Sequence, residues 1–542
     1  MGIDEGLNFD SISIFFDQTD MNFPEFKEQI SKNTDICYLF GISDKIDPIL
    51  NWLNGKKYRK LIILEDRIFL MGCLKSKAFE KILNHKSIEI QFFFETDNID
   101  EKILSIAQKN PAEIFEIFST HPDGEKFEFI GELINKSMLV CSGAKSDLML
   151  GNYILENVIS NFRKIHECFD VSKLKDAFKG KPCILVGAGP SLNDHLEEIK
   201  KLNDEVLIFA AGSAISILAN ANIKPHMQFA ICPTPEEFTR LKFMESYEVP
   251  LIFGSRLNHN VLYSHAGPLG YVSTETGGLM EDWLEEKLEI RDLEVLKHLP
   301  KESQTIVSIA IAIAIHFGVG PIILLGVDLA YQNDLRYAKG VISNLDSSIE
   351  RGFFSIGDKE IKENGNDTLL RWVAERDAID KLALNFGKNL VYKGSDKGLH
   401  FENIETKNNW YESLQRTKNL RKEVYEKVLS SPLTVSNDRV NEIVQQYFNS
   451  LRRVKDLVWQ LILTLESCEV SEVIKQQKSM LIQYDLEDEI AYKLSFQPAL
   501  YIFRSESVKE LDLHDHEIDQ IPVQINIFKK LNALIDQYLL LC

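Results

Sequence analysis

The chain lacks several signatures that would narrow its class at once. Its eight cysteines are scattered, with no Cys-x-x-Cys pair, so no metal site is expected of them. Cys37, Cys183 and Cys232 lie in or beside apolar runs, where a free thiol packs as a small hydrophobe. Basic charge is in deficit: 61 Lys and Arg stand against 81 Asp and Glu, a net −20. That excludes a nucleic-acid footprint, which needs a basic face. It also requires that an anionic ligand be met by local donors, since the overall field repels it. The N-terminal "MGIDEGLNFD" has no apolar core, so no signal peptide is read there, and Gly6 stands where myristoylation wants Ser or Thr. A reduced, cytoplasmic compartment is expected. No fixed-period repeat and no low-complexity tract occurs.

What remains is a globular composition, 44% hydrophobic and 26% charged. The longest apolar run, "IVSIAIAIAIHFGVGPIILLGV" from Ile306 to Val327, has the length of a membrane span. "GVGP" interrupts it and no basic loops flank it, so it reads as an apolar helix, a turn and a buried strand.

Three regions follow. In residues 1–165, "ICYLFGI", "KLIILED" and "IEIQFFF" are strand-like and alternate with helical stretches such as "DPILNWLNG" and "AFEKILNH". They predict a small α/β domain with a parallel sheet and a packing role. Residues 166–405 hold "CILVG", "VLIFAAG", "FAIC", "LIFGS", "IILLGVD" and "LVYKGS", again alternating with helices, as in a doubly wound Rossmann-like domain. Residues 406–542 follow helical periodicity. Phe448, Leu451, Val454, Val458, Leu461 and Leu465 form one apolar stripe, which predicts a helical-bundle core.

The candidate site is "CILVGAGPSLNDH", Cys183 to His195. Gly187 and Gly189 allow a tight turn and a close approach to a ligand. Pro190 suits the first position of a helix, and Ser191 offers a hydroxyl. Free amides at a helix start favour an anion, so the turn is a phosphate or carboxylate seat; the alternative is a turn with no ligand. Leu192 stands where a dinucleotide fingerprint wants its third glycine, and the next strand ends in Ala211-Gly212-Ser213 without an acid, which disfavours NAD and FAD. No P-loop is present. Gly212, Ser213, Thr234, Asp328 and Tyr331 all fall just after predicted strands, at the edge where parallel sheets bind ligands.

"VGAGPSL", "IFAAGSAISILANANIKPHMQFAICP" and "IILLGVDLAYQNDLRYAKG" resemble the central domain of the motility-associated factor (Maf) flagellin glycosyltransferases, which share the MptE-like domain. The resemblance runs from about Asn152 to Phe401. A similar pairing occurs in bacterial sialyltransferases that use CMP-activated sugars. It implies transfer of a nonulosonic acid, pseudaminic or legionaminic in type, from CMP to Ser or Thr of flagellin, with no required cofactor. By that likeness Gly187, Gly189, Ser191 and Asn193 hold CMP phosphate and ribose. Gly212 and Ser213 line the cleft, and Asp328 and Tyr331 form its far wall. Without a metal, amides from Gly189 to Ser191, helped by Tyr331 and Arg336, would take the leaving phosphate. Asp328 is either the base or a residue that orders the turn.

Two departures stand out. Cys232 replaces an Asp common in the family, and no histidine occurs between His316 and His400 to serve as the sialyltransferase-type base. The alternatives are a non-catalytic flagellin-binding factor and diphosphate transfer from ATP to a pterin. The latter is disfavoured because "AAGS" and "ICPT" lack the acids of a magnesium site. His226 and His259 read as local hydrogen-bonders and "RRVK" at Arg452 as a wet helix face. "HDH" at His514 reads as a solvated loop, and Glu65-Asp66 as helix-capping and solvent-facing.

Overall fold

The computed structural model describes residues 26, 29–41, 46–66, 81–83, 85–93, 98–110, 114–121, 124–202, 204–241, 248–274, 276–299, 305–341, 360–387, 389–412, 414–514, 517 and 520–541. Asp515 and His516 of the "HDH" stretch, most of "AFEKILNH" and the turn beyond Gly41 fall outside them. The chain forms two compact units, Met1–Ser105 with Ile114–Ile134, and Ile106–Glu113 with Asn135–Cys542.

The smaller unit holds four strands, β1 (Ile36–Phe40), β2 (Lys60–Asp66), β3 (Ile88–Phe93) and β4 (Phe115–Ser119). All pair in parallel, in the order β3-β2-β1-β4. The first three are the expected ones. The fourth, FEIFS, is not among the expected ones; its Glu116 carboxylate accepts from the Ser31 amide and the Thr34 hydroxyl. Glu65 corrects its expected solvent-facing place. β2 runs between β1 and β3, so Glu65 is fully buried, 3.7 Å from His121 Nε2.

The larger unit carries a nine-stranded sheet. Its strands are β5 (Phe169–Asp170), β6 (Cys183–Val186), β7 (Leu207–Ala211), β8 (Met227–Ala230), β9 (Leu251–Phe253), β10 (Leu269–Tyr271), β11 (Ile322–Leu325), β14 (Val391–Lys393) and β15 (Glu405–Thr406). A separate hairpin supplies β12 (Glu360–Glu363) and β13 (Asn366–Leu369). The order is β15-β14-β11-β6-β7-β8-β9-β10-β5, and the paired strands are parallel. From β6 the chain steps outward through β7, β8, β9 and β10, then returns to lay β11 on the opposite side of β6. The winding reverses between β6 and β11.

Both faces of this sheet are covered, which is why its strands read as unbroken apolar runs. Ile184, Val186, Ile208, Ala210, Ile323 and Leu325 point into one core. Their neighbours Cys183, Leu185, Leu207, Phe209, Ile322 and Leu324 point into the other. The run from Ile306 resolves as expected into a helix, Ile306–His316, and strand β11. The helix is apolar all round because the second core encloses it. At 11 residues it spans about 16 Å, and among the described residues no helix is long and apolar enough to cross a membrane.

The 30-residue helix Asn437–Glu466 buries its predicted stripe, Phe448 through Leu465, in the first core. The helix Gly151–Arg163 adds Ile154, Leu155 and Val158 to that core. The boundaries expected at 165/166 and 405/406 therefore do not coincide with the two units. In "RRVK" Arg452 and Arg453 are exposed, as read, whereas Val454 is buried in the stripe; Arg453 meets Glu489 at 2.7 Å, and Lys455 meets Asp536.

Candidate functional site at the switch point of the large sheet

In open parallel sheets, loops leaving adjacent strands part company where the winding reverses, and ligands bind in that crevice. Here the two loops are Gly187–Asp194 after β6 and Gly326–Tyr337 after β11. They are laced together. The Gly187 amide donates to Leu325 O at 2.8 Å, and the Gly189 amide to Gly326 O at 2.7 Å. A Cβ on Gly187 would sit 2.6 Å from Gly326 O, and one on Gly189 would sit 2.7 Å from both Gly326 O and Asp328 Oδ2. These glycines let two backbones touch.

The amides expected to cradle a phosphate are therefore engaged internally. Gly189 points at Gly326 O, Pro190 has no N–H, and the Ser191 amide donates to Asp328 Oδ2 at 2.7 Å. Ser191 Oγ donates to Asp328 Oδ1 at 2.5 Å, and Gln332 Nε2 reaches Oδ2 at 3.2 Å. Nor does Pro190 open an α-helix. Pro190–Asp194 is a 3₁₀ turn, followed by a six-residue helix, Leu196–Lys201. The negative charge at this turn is the protein's own. Asp328 is 1% exposed. Burial pushes its pKa up, while the bonds from Ser191 and the charges of Lys393 and Lys397 oppose the rise.

A third wall escaped the sequence reading. The loop Gly394–His400 after β14 docks on the same segment. The Leu399 amide donates to Asp328 O at 2.8 Å, and Gly398 takes φ +85° where a Cβ would strike the Asp328 backbone. The Lys393 ammonium donates to Leu399 O at 2.8 Å, and Lys397 pairs with Asp194 at 2.6 Å. The available signal was the "GSDKGLH" stretch after the strand that neighbours β11. His400, exposed, is the residue after Leu399. His195, half-buried, sets its ring 5.9 Å from Trp410. Burial lowers its pKa, against the pull of Asp194, Glu198 and Asp328.

The remaining predicted residues lie along the same edge. Asn193 Nδ2 donates to Pro190 O at 3.1 Å, and its Oδ1 accepts from the Lys339 amide at 3.1 Å, tying the two loops again. Gly212, φ +55°, follows β7, and Ser213 stands at the N-cap of the helix Ala214–Asn220. Thr234 lies beyond β8, its hydroxyl 3.6 Å from Cys232 Sγ. Tyr331 packs against Trp372 with ring centroids 5.2 Å apart and planes inclined by 55°. Arg336 lies over Trp372 and Tyr337, at 5.6 and 5.2 Å. Trp372, on the helix Leu370–Phe386, had drawn no attention in the sequence. His226 and His259 are local hydrogen-bonders, as read: His226 Nδ1 accepts from the Ile208 amide and His259 Nδ1 meets Asn157 Oδ1. Among the described residues no group of three or more His, Cys, Asp or Glu side chains is placed to hold a metal ion.

Two comparisons relate the chain to known proteins. Residues 156–334 match the family model of 6-hydroxymethylpterin diphosphokinase MptE-like proteins. That span contains the glycine turn and Asp328 but is less than half of the chain. The fold is similar to the solved structure of the MAf glycosyltransferase from Magnetospirillum magneticum AMB-1, with a TM-score of 0.54 and 14% identity. The likeness covers 93% of this chain and 79% of that one, and at such identity it concerns the fold. No curated protein matches the chain.

Proposed function

We propose that the chain is a glycosyltransferase that moves a nonulosonic acid, of pseudaminic or legionaminic type, from a CMP-activated donor to Ser or Thr of flagellin. The observation that carries this reading is the bonded pairing of the Gly187–Ser191 turn with Asp328 at the winding reversal of a parallel sheet. The similarity of residues 156–334 to the MptE-like model and of the fold to a MAf glycosyltransferase supports it.

In this reading the donor lies along the carboxyl edge, from Gly212, Ser213 and Thr234 to Arg336. Asp328 is buried and fully engaged, so it serves as a positioning residue: it holds Ser191 and the turn in place. The leaving CMP phosphate is met by Arg336 and Tyr331. The bond from the anomeric carbon to the phosphate oxygen breaks, and a bond to the acceptor hydroxyl forms. That hydroxyl's proton goes to His400, exposed on the wall that docks against Asp328.

The test is incubation of the full chain with a CMP-nonulosonate and flagellin, read by intact mass. A gain of one sugar mass supports the reading. Client binding without mass gain favours a flagellin-binding factor. A second reading, diphosphate transfer from ATP to a pterin, has the description of the matching family model in its favour. Against it, the ends of β7 and β8 present Gly212-Ser213 and Cys232-Pro233-Thr234 without a carboxylate. Magnesium-dependent release of AMP would establish it.

A further inference from the structure

Arg336 is unusual for an arginine in so acidic a chain. With 81 acids available, its Nε is buried and meets no acceptor, and its described partners are aromatic rings alone. A buried donor left unpaired is costly, and more so on a charged group. The side chain is nevertheless held firmly. Tyr337 and Trp372 take the guanidinium on their faces, and Tyr331 braces Trp372. Rings attract a guanidinium by their quadrupole but leave its in-plane N–H groups free. The backbone around it is equally fixed. The Ala338 amide donates to Ala188 O at 2.9 Å, inside the glycine turn. Gln332 and Leu335 close a small turn by exchanging backbone bonds. The Tyr331 amide donates to Asp367 O, and Thr368 Oγ1 to Leu329 O, clamping the loop to the β12–β13 hairpin.

We propose that Arg336 is the oxyanion anchor of the crevice, held by Trp372 and Tyr337 so that its N–H edge takes a carboxylate or phosphoryl group of the ligand in a two-point contact. The planar fork of arginine matches such a group where lysine offers only a point charge. Local cationic recognition is what a ligand anion requires in a protein of net charge −20. Trp372 is a positioning residue. The inference rests on the transferase reading only for the identity of the ligand.

Calorimetric titration of the full chain with CMP, CMP-N-acetylneuraminate and inorganic pyrophosphate tests it. Wild type, R336Q, R336K, W372F and W372L would be compared, with thermal unfolding as a check on folding. The expected result is a loss of at least about tenfold in R336Q, a smaller loss in R336K, near-wild-type binding in W372F and a clear loss in W372L. A loss for CMP-N-acetylneuraminate alone assigns the anchor to the sugar carboxylate. Equal losses for CMP and its sugar assign it to the phosphate. Should R336Q fail to fold, R336K decides. Binding of pyrophosphate that needs Arg336, with no binding of either CMP compound, keeps the anchor and removes the transferase reading. Binding by R336Q within twofold of wild type, or no binding of any probe by wild type, overturns the anchor.

Discussion

Ser191 donates two hydrogen bonds to Asp328, from its amide to Oδ2 at 2.7 Å and from its hydroxyl to Oδ1 at 2.5 Å, across 137 residues of sequence. The pair joins the loop after β6 to the loop after β11. In Asp328→Asn, one carboxylate oxygen becomes an NH2 group, which faces a donor. Breaking a buried, charge-assisted pair of this kind costs about 1–3 kcal/mol. We expect Asp328→Asn to lower the unfolding midpoint and weaken donor binding. Ser191→Ala, which keeps the amide bond, should do less. Denaturant titration of both variants checks the order; equal stability of Asp328→Asn and wild type would contradict it.

Gly189→Ala should perturb folding before it perturbs ligand binding. The added methyl would lie 2.7 Å from both Asp328 Oδ2 and Gly326 O. A destabilisation of about 1–3 kcal/mol, typical of overpacking, is expected, and it should be visible in the ligand-free protein. Unchanged stability with lost donor binding would restore the glycine to a purely ligand-facing role.

On the proposed mechanism, His400→Gln should lower sugar transfer by about 100-fold or more while donor binding stays unchanged, since a general base contributes about 10²–10⁴. Measurement of single-turnover rates beside calorimetric affinity separates the two. A fall in affinity with an unchanged rate would place His400 in binding instead.

The stabilising contribution of three buried carboxyl groups should fall as pH rises from 4.5 toward 8. Glu285 is enclosed beside Glu281, with Tyr271 OH donating to it at 2.6 Å. Burial first, then the Glu281 charge, raises its pKa from 4.5 to about 8. Burial likewise raises Glu375, which accepts from Thr305 Oγ1, and Glu237, each to about 7. Across that window the unfolded chain has released protons that the folded chain retains, so the raised groups stabilise fully at low pH and lose their contribution as pH climbs. Glu285→Gln cannot ionise and should flatten the decline. Denaturation midpoints at pH 5.5, 7 and 8.5 would show it; parallel slopes for variant and wild type would count against it.

Leu451→Ala tests the sharing of one core by the C-terminal helices and the sheet. Leu451 is fully buried in the cluster that contains Ile184 and Val186. A loss of about 2–5 kcal/mol is expected, in a single transition of the larger unit. A separate early transition confined to the helices would argue for an independent domain.

Much of the fold was legible because burial imprints itself locally. The strands β1, β2, β6 to β9, β11 and β14 carry short apolar runs, β3 alternates Ile88, Ile90 and Phe92 with polar residues, and Phe448 to Leu465 keep a helical beat. β5 and β15, two residues each, and β10, three residues containing Gly270, carry too little pattern to be read. Glu65 misled because a charged residue at a strand end reads as solvent-facing unless the order of the strands is known.

By itself the sequence determined the α/β alternation, the helical C-terminal region, and that Gly187, Gly189 and Asp328 stand just beyond strands. Only the tertiary structure decided what those residues touch. It turned the amides of Gly189 and Ser191 toward Gly326 and Asp328, brought Gly398 and Leu399 onto the Asp328 backbone, and set Trp372 beneath Arg336. The physical reason is range. Apolar periodicity records whether a residue is buried and is written within a few neighbours. Hydrogen-bond partners across a parallel sheet depend on strand order, which is settled only when distant segments pack together.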